Sequence, residues 1–242
     1  MKPDSKVEIK VSGFKLSNEG KNLLIIGLAV LVIALLSYIW VGSKVASSAG
    51  SNPSSVKVSG APLSGVSEGG LSSYSHGPES AKVTVVEFLD PECETCAMIN
   101  PYIQNEIKYY EGRVRWIFRY MAYHPNSRNA IKVMEAARKQ GLYSEAKVLL
   151  FERQKEWGSK HDGRDEDQTQ KILSIVGSVP GIDLKKLKED MNDPAIPVLI
   201  ENDIKEGTLA GVKGTPTLFV NGKMIDPLSL DKMIEWIDQG LK

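Results

Sequence analysis

The sequence of 242 residues has few of the features that mark several common classes of protein. It contains two cysteines and three histidines, and the histidines lack metal-ligand spacing, whereas a zinc site needs about four ligands. The formal net charge is zero and no basic stretch is interleaved with aromatic residues, so nucleic-acid binding has no electrostatic basis. Charged residues make up 25% and hydrophobic residues 42% of the chain, which excludes wholesale disorder.

One long segment near the N-terminus is apolar. The nineteen residues from Leu23 to Val41 carry no charge, and at roughly 1.5 Å per residue they span about 30 Å, one hydrocarbon core. Five lysines precede this segment, whereas only Lys44 follows it closely, which by the positive-inside rule leaves the N-terminus in the cytoplasm. We therefore predict a cytoplasmic tail at 1–21, a transmembrane helix at 22–42 in the bacterial cell (inner) membrane, and the remainder on the periplasmic or extracellular side.

The next segment, residues 43–77, is rich in Ser, Gly and Val and is predicted to be a flexible linker. A cleaved signal peptide is the alternative to an anchor, with an acceptable cleavage site at 47–49. The apolar run is longer than the hydrophobic region of a typical signal peptide, and the segment before it is also long, which favours the anchor. Regular patterning starts after Gly77-Pro78, so a folded domain is predicted at 78–242.

The folded part is predicted to be α/β, in the order β-α-β, a helical block, then β-β-α. Residues 82–90 are apolar on both faces, which is typical of a strand that is covered on both sides. A helix to about Tyr110 follows, and then a second strand at 114–121. The pattern between 126 and 210 is helical. The remaining predicted elements are strands at 217–220 and 223–225, joined by the turn Asn221-Gly222, and a final helix from Ser229 or Leu230.

The two cysteines, Cys93 and Cys96, open the first predicted helix. Unpaired N–H groups and the dipole of a helix N-terminus favour an anion there, and a thiolate is the form of cysteine that attacks disulfides. Cys96, one turn along, could then attack a mixed disulfide and release the substrate. A bridge between them closes almost no loop and adds little stability. A zinc ligand pair and two idle thiols are the alternatives; we predict no metal and no cofactor beyond the redox-active disulfide.

Two segments of the chain resemble the thioredoxin superfamily, and the long helical block resembles its DsbA-like branch. The segments are 87–96 (EFLDPECETC) and 211–222 (GVKGTPTLFVNG), and the resemblance covers roughly 77–242. It implies a thioredoxin-like fold with a helical insertion at about 123–210, and thiol–disulfide oxidoreductase activity. It also implies a cis peptide bond before Pro216, beside the disulfide, with the backbone of Thr215 turned toward an extended substrate.

Glu87 is a third candidate catalytic residue. By strand periodicity it shares a face with Val83, Val85 and Leu89, and both faces of this strand are apolar. A buried carboxyl group is expected to have a raised pKa. The resemblance implies that an acid here could exchange a proton with Cys96. The alternative is a structural Glu capped by a neighbouring backbone group.

Glu94 and Thr95 separate the cysteines, and Glu92 precedes them. The two Glu charges are expected to oppose the Cys93 thiolate. Strong oxidants of the resembled family tend to carry His in this dipeptide, so we expect a mid-range reduction potential. Alternatively, these side chains point to water, which screens them.

Other residues near the motif are interpreted as structural. His124 is predicted to precede a helix that Asn126 caps. Met98, Ile99 and Tyr102 are predicted to lie in the core of the first helix rather than in a substrate groove.

The leading hypothesis is a membrane-anchored, extracytoplasmic thiol–disulfide oxidoreductase that exchanges disulfides with exported proteins and depends on a membrane redox partner. Oxidase and reductase directions stay open. An isomerase is less favoured because the linker is unsuited to dimerisation, although Thr215 is common in isomerases of the resembled superfamily. The second hypothesis is a thioredoxin-like chaperone or binding module without redox turnover.

Overall fold

The computed structural model, which describes residues 73–159 and 166–242, contains a five-stranded mixed sheet in the order β1-β3-β2-β4-β5. The parallel pair β2 and β3 lies at its centre, and the other neighbouring strands are antiparallel. The strands are β1 (Tyr74–His76), β2 (Val83–Leu89), β3 (Val114–Tyr120), β4 (Thr217–Val220) and β5 (Lys223–Met224).

Helices connect and cover this sheet. One helix links β2 to β3, five lie between β3 and β4, and one follows β5, so from β2 onward the order of elements is the predicted one. The five middle helices form the insertion. The helices are α1 (Glu94–Tyr109), α2 (Ser127–Arg138), α3 (Tyr143–Glu152), α4 (Thr169–Val176), α5 (Leu184–Asp190), α6 (Ala195–Leu209) and α7 (Leu230–Leu241), with a 3-10 turn at Gln154–Glu156.

Strand β2 is buried on both faces, as its composition predicts. Val83, Val85 and Leu89 belong to the larger core cluster with residues of α1, α7 and the insertion, while Val86 and Phe88 belong to a smaller cluster on the opposite face. The position of Glu87 between these apolar neighbours is therefore enforced by the strand itself.

The second face of the sheet is covered by α6 at very short range. A Cβ added to Gly207 would lie 2.7 Å from Sδ of Met121 and 2.8 Å from Cε1 of Phe88. A side chain at this position would separate α6 from β2 and β3. Glycine is required here for close packing.

A buried ion pair also joins α6 to β3. Arg119 and Asp203 are fully buried, with Nε of Arg119 2.7 Å from Oδ1 of Asp203. The same carboxylate accepts hydrogen bonds from the backbone N–H of Tyr120 and from Oγ of Ser73, while Arg119 also contacts Glu206 at 2.6 Å. Such a pair is costly to break because one partner would remain as an uncompensated buried charge.

The start of the domain needs a correction. The linker was predicted to extend to residue 77, yet Tyr74–His76 form β1 and pair with Phe118, Ile117 and Trp116 of β3. The ring of Tyr74 stacks on that of Tyr143, with the centroids 3.9 Å apart. Three residues in a Ser- and Gly-rich context are too short to show strand periodicity, which explains the error.

Among residues 73–159 and 166–242, no helix combines the length and apolar character needed to span a bilayer. The predicted cytoplasmic tail at 1–21, the predicted transmembrane helix at 22–42 and most of the predicted linker lie outside the described residues.

Candidate active site

The two cysteines lie at the N-terminus of α1, where the sequence places them. Cys93 is the N-cap residue and is 9% exposed, whereas Cys96 is completely buried. Both are free thiols. Sγ of Cys93 donates a hydrogen bond to the carbonyl oxygen of Thr215 at 3.3 Å, and the Thr215–Pro216 peptide bond is cis. The structure thus brings together the two sequence segments that carried the family resemblance.

The surroundings of Cys93 favour its thiolate. The side-chain hydrogen bond from Cys96 is the largest of the effects that lower the pKa of Cys93, to about 5. Burial opposes this lowering, while hydrogen bonds from the Thr215 side chain and from the backbone N–H groups of Cys96 and Thr95 add to it. The N-terminus of α1 therefore stabilises an anion at Cys93, as predicted.

Cys96 has the opposite tendency. Burial raises its pKa well above the ordinary value, and the hydrogen bond to Cys93 and the charges of Glu87 and Cys93 raise it further. One sulfur is thus prepared to be a thiolate and the other to hold its proton. This asymmetry is what a nucleophile and a resolving thiol require.

Glu87 lies in the core as predicted, with 2% of its surface exposed. Burial raises its pKa, which the positive charge of Lys147 counteracts. No hydrogen-bond donor reaches its Oε2 within the described part of the chain. That oxygen is therefore not capped by a neighbouring backbone group.

Lys147 of α3 is a residue that sequence reasoning missed. It is 1% exposed, and its Nζ lies 3.7 Å from the centroid of the Phe118 ring. Phe118 of β3 is the residue that pairs with Glu87 of β2. Burial lowers the pKa of Lys147 to about 8, and the charges of Glu87 and Cys96 oppose this lowering. A signal was present in the sequence, because Lys147 shares a helix face with the apolar residues Tyr143, Leu150 and Phe151.

Glu92 does not behave as expected. It is 3% exposed, and its carboxylate accepts hydrogen bonds from the backbone N–H of Asn126 (2.6 Å), from Nδ2 of Asn126 (3.3 Å) and from the backbone N–H of Ser159 (2.8 Å). Glu94 and Thr95 are exposed. The two Glu charges were expected to oppose the Cys93 thiolate, yet neither is among the main effects on the pKa of Cys93, which is lowered to about 5.

Three further predictions in this region need correction. Asn126 stands at the N-cap of α2 but makes no side-chain cap, because its amide binds Glu92 and its Oδ1 accepts from the N–H of Gln168. Met98 and Tyr102, predicted in the helix core, are 65% and 60% exposed, whereas Ile99 is buried as predicted. The pattern of α1 therefore leaves an apolar strip on the surface beside the cysteines.

Asp90, at the end of β2, is fully buried and accepts four hydrogen bonds. Their donors are the backbone N–H groups of Glu92 and Tyr123, Oγ of Ser127 and Nδ1 of His124, the last at 2.8 Å. These four contacts are divided equally between the two oxygens of the carboxyl group.

The insertion also holds the loop before α1. Nε2 of Gln154 donates hydrogen bonds to the carbonyl oxygens of Pro91 (2.8 Å) and Cys93 (3.1 Å). A groove of about 640 Å³ lies on this side of the cysteines, between α1 and α3, with Glu92, Met98 and Phe151 in its lining. A cavity of about 300 Å³ lies on the other side, where Thr215 and Pro216 contribute to its wall.

No group of three or more His, Cys, Asp or Glu side chains is arranged to hold a metal ion in the regions 73–159 and 166–242. His161, considered with the sequence, lies outside these regions.

Comparisons with known proteins agree with this architecture. The sequence pattern of a family described as thioredoxin matches residues 72–239. The disulfide bond formation protein D of Bacillus subtilis is 30% identical over 175 residues, which cover 69% of this chain and 76% of that protein. The crystal structure of oxidised BdbD from the same organism superposes with a TM-score of 0.58 at 25% identity, covering 70% of this chain and 92% of that one.

Two other matches are informative in a more limited way. A thioredoxin-like oxidoreductase from Silicibacter pomeroyi, 24% identical, superposes with a TM-score of 0.57 over 69% of this chain and 91% of that chain, which supports the fold. A Na(+)/H(+) antiporter NhaA of Herminiimonas arsenicoxydans is 27% identical over 149 residues, covering 62% of this chain. That match spans about a fifth (22%) of the antiporter's length. Together these matches confirm the predicted thioredoxin-like α/β fold.

Proposed function

Because the chain belongs to the thioredoxin family, we propose that it is a thiol–disulfide oxidoreductase that exchanges disulfides with other proteins through Cys93 and Cys96. One observation carries this proposal: two neighbouring sulfurs have opposite proton affinities, with the pKa of Cys93 at about 5 and that of Cys96 raised well above 9.0. A pair of idle or purely structural thiols would have no need of this asymmetry.

The exchange can be written for the oxidising direction. A client thiolate attacks the sulfur of Cys93 in the Cys93–Cys96 disulfide; a client–Cys93 bond forms, the Cys93–Cys96 bond breaks, and Cys96 leaves with the electron pair and gains a proton. A second client thiolate then attacks the client sulfur of the mixed disulfide, and Cys93 leaves as a thiolate. The client loses two electrons, which the cysteine pair receives. The low pKa of Cys93 makes it a good leaving group.

Glu87 and Lys147 are the source of the proton that Cys96 gains. Cys96 is sealed from solvent, so a proton must come from a neighbouring buried group, and both Glu87 and Lys147 interact with it electrostatically. The charge of Lys147 counteracts the rise that burial causes in the pKa of Glu87, and the charge of Glu87 counteracts the fall that burial causes in the pKa of Lys147. In the reverse direction Glu87 would accept the proton as Cys96 attacks the mixed disulfide.

The substrate segment would lie beside Thr215 and Pro216. The buried ring of Pro216 and the cis bond hold this loop against Cys93, which is 3.3 Å from the carbonyl oxygen of Thr215. An extended client could pair with the exposed backbone of this loop in the manner of an added strand.

The proposed location is outside the cytoplasm, with residues 22–42 as an uncleaved anchor in the bacterial membrane. The supporting observations are the uncharged segment from Leu23 to Val41 and the lysines before it. The clients would then be exported proteins, and a membrane redox partner would restore the cysteine pair after each turnover.

The direction of exchange depends on the reduction potential. A nucleophilic cysteine has a pKa of roughly 7 in thioredoxin, at about −270 mV, and roughly 3.5 in DsbA, at about −120 mV. The pKa of Cys93, about 5, lies between these. We therefore propose a mid-range potential, more oxidising than that of thioredoxin, and disulfide formation as the preferred direction.

The test compares the full chain with its Cys93→Ser variant in two assays, disulfide formation on a reduced unfolded protein and reduction of insulin. We expect activity in the wild type and background levels in Cys93→Ser. A Cys96→Ser variant, which keeps the nucleophile, should accumulate mixed disulfides with clients. Wild-type protein that is inactive in both assays would overturn the proposal in favour of a binding module without turnover.

A further inference from the structure

Next to the cysteines lies a charged pair that takes no part in the steps above. Asp90 is linked to the nucleophile directly, because its carbonyl oxygen accepts the backbone N–H of Cys93 at 3.1 Å. Its side chain holds Nδ1 of His124 at 2.8 Å. Because β2 and β3 are parallel, their carboxyl ends bring these residues, 34 positions apart, to the edge of the sheet where Cys93 lies.

His124 is a group near the carboxyl groups of Asp90 and Glu92 that can carry a positive charge. Asp90 is buried with four donors around its carboxylate, and the carboxylate of Glu92 is buried two residues further along. Both residues lie within three positions of Cys93 along the chain. His124 is the ionisable donor to Asp90 among the described residues, and its side chain is 29% exposed, so it can exchange protons with water.

We propose that His124 is a positioning residue for the disulfide exchange proposed above: its imidazolium, held by Asp90, offsets the negative charge beside Cys93 and stabilises the Cys93 thiolate. Nδ1 faces a carboxylate and therefore carries a hydrogen, which leaves Nε2 as the nitrogen that gains or loses a proton. The position is an alternative to a His within the Cys-x-x-Cys dipeptide, where this chain has Glu94 and Thr95.

The charged groups that face His124, namely Asp90, Cys93 and Glu92, all raise its pKa. Burial would lower its pKa, but the hydrogen bond and charge of Asp90 and the charges of Cys93 and Glu92 raise it above 6.5 overall. Coupling is reciprocal: if the Cys93 thiolate stabilises the imidazolium, the imidazolium stabilises the thiolate equally. The stabilisation is therefore present at pH 6, where His124 is charged, and is lost as the pH rises through its pKa. Tyr123, the neighbouring ionisable group, is neutral throughout this range because burial and Asp90 raise its pKa.

The experiment uses the full chain and its His124→Asn variant, in which the amide can still donate to Asp90 but carries no charge. The equilibrium constant for oxidation of glutathione by the protein is measured at pH 6 and at pH 9, together with the pKa of Cys93 from thiolate absorbance. We expect the equilibrium constant of His124→Asn to be about threefold lower than that of the wild type at pH 6, which corresponds to a rise of about half a unit in the pKa of Cys93. The two proteins should agree at pH 9.

Ser127→Ala is the matched control: it removes a neutral donor from the same carboxylate, together with the acceptor of the His124 backbone N–H, and leaves the imidazole in the protein. Any effect of Ser127→Ala should be the same at both pH values. An equilibrium constant for His124→Asn that equals the wild-type value at pH 6, or that differs equally at pH 6 and pH 9, would overturn the inference. The pKa of Cys93 is measured without turnover, so a wild type that is inactive on clients but shows the His124 effect contradicts the proposed function alone.

Discussion

At the scale of single residues, the site contains two systems of charges with separate tasks. Cys93 receives hydrogen bonds from a helix N-terminus and from Thr215, whereas Cys96 has the buried pair Glu87 and Lys147. Burial of Lys147 costs desolvation free energy, and no hydrogen-bond partner reaches its Nζ among the described residues. Its electrostatic interaction with Glu87 and Cys96 is the basis for the proposed role in the proton chemistry of Cys96.

Lys147→Met tests this separation of stability and function. Without the cation, the pKa of Glu87 rises further and the Cys96 thiolate loses the positive charge of Lys147, so resolution of a mixed disulfide should slow by about tenfold or more. The unfolding free energy at pH 6 should not fall, because a desolvated charge has been removed. The measurements are single-turnover release of a mixed disulfide and urea denaturation, with exposed Lys205→Met as the control. A variant that unfolds easily but resolves mixed disulfides at the wild-type rate would contradict this role.

At the scale of elements, the helical insertion positions the nucleophile as well as covering the core. The 3-10 turn at Gln154–Glu156 binds the carbonyl oxygens of Pro91 and Cys93, and the segments around Asn126 and Ser159 bind the carboxylate of Glu92. The loop that carries Cys93 is thereby held from three places in the chain.

Gln154→Ala removes two of these hydrogen bonds and leaves two buried carbonyl groups with fewer donors. We expect a loss of about 1–3 kcal/mol in unfolding free energy and a rise in the pKa of Cys93, because the loop that presents its sulfur to the helix N-terminus loosens. Lys155→Ala, next in the chain and exposed, should change neither quantity. Urea denaturation and thiolate absorbance measure the two effects, and an unchanged pKa in Gln154→Ala would show that the insertion does not position Cys93.

The elements that the sequence predicted well are those with a strong local pattern. Strand β2 was predictable because its residues are apolar on both faces, and the cysteine and proline segments because the resemblance is specific. Lys147 was not predictable with the same ease, since lysine on a helix is almost always at the surface. The Asp90–His124 pair was missed because residues 34 positions apart meet only through the parallel pairing of β2 and β3.

At the scale of the whole molecule, the fold depends on the close contact of α6 with the sheet. The ion pair of Arg119 with Asp203 fixes one end of this contact, and Gly207 allows the backbone of α6 to approach Phe88 and Met121. The stability of the domain is therefore sensitive to the side-chain volume at position 207.

Gly207→Ala should destabilise the domain by about 1–3 kcal/mol, because the new methyl group overlaps two buried side chains in a packed core. Gly214→Ala is the control, since a Cβ there meets nothing within 4 Å. Thermal unfolding of the two variants and the wild type gives the comparison. Equal melting temperatures for Gly207→Ala and the wild type would mean that α6 can shift without cost.

The small exposed area of Cys93 has a consequence for the order of events in the cell. A residue that is nine-tenths covered is reached most readily by a thiol on a protruding and unstructured stretch of chain. A cysteine already packed inside a finished protein cannot enter. If the chain exchanges disulfides as proposed, bond formation therefore competes with folding of the client, and unfolded clients react before folded ones.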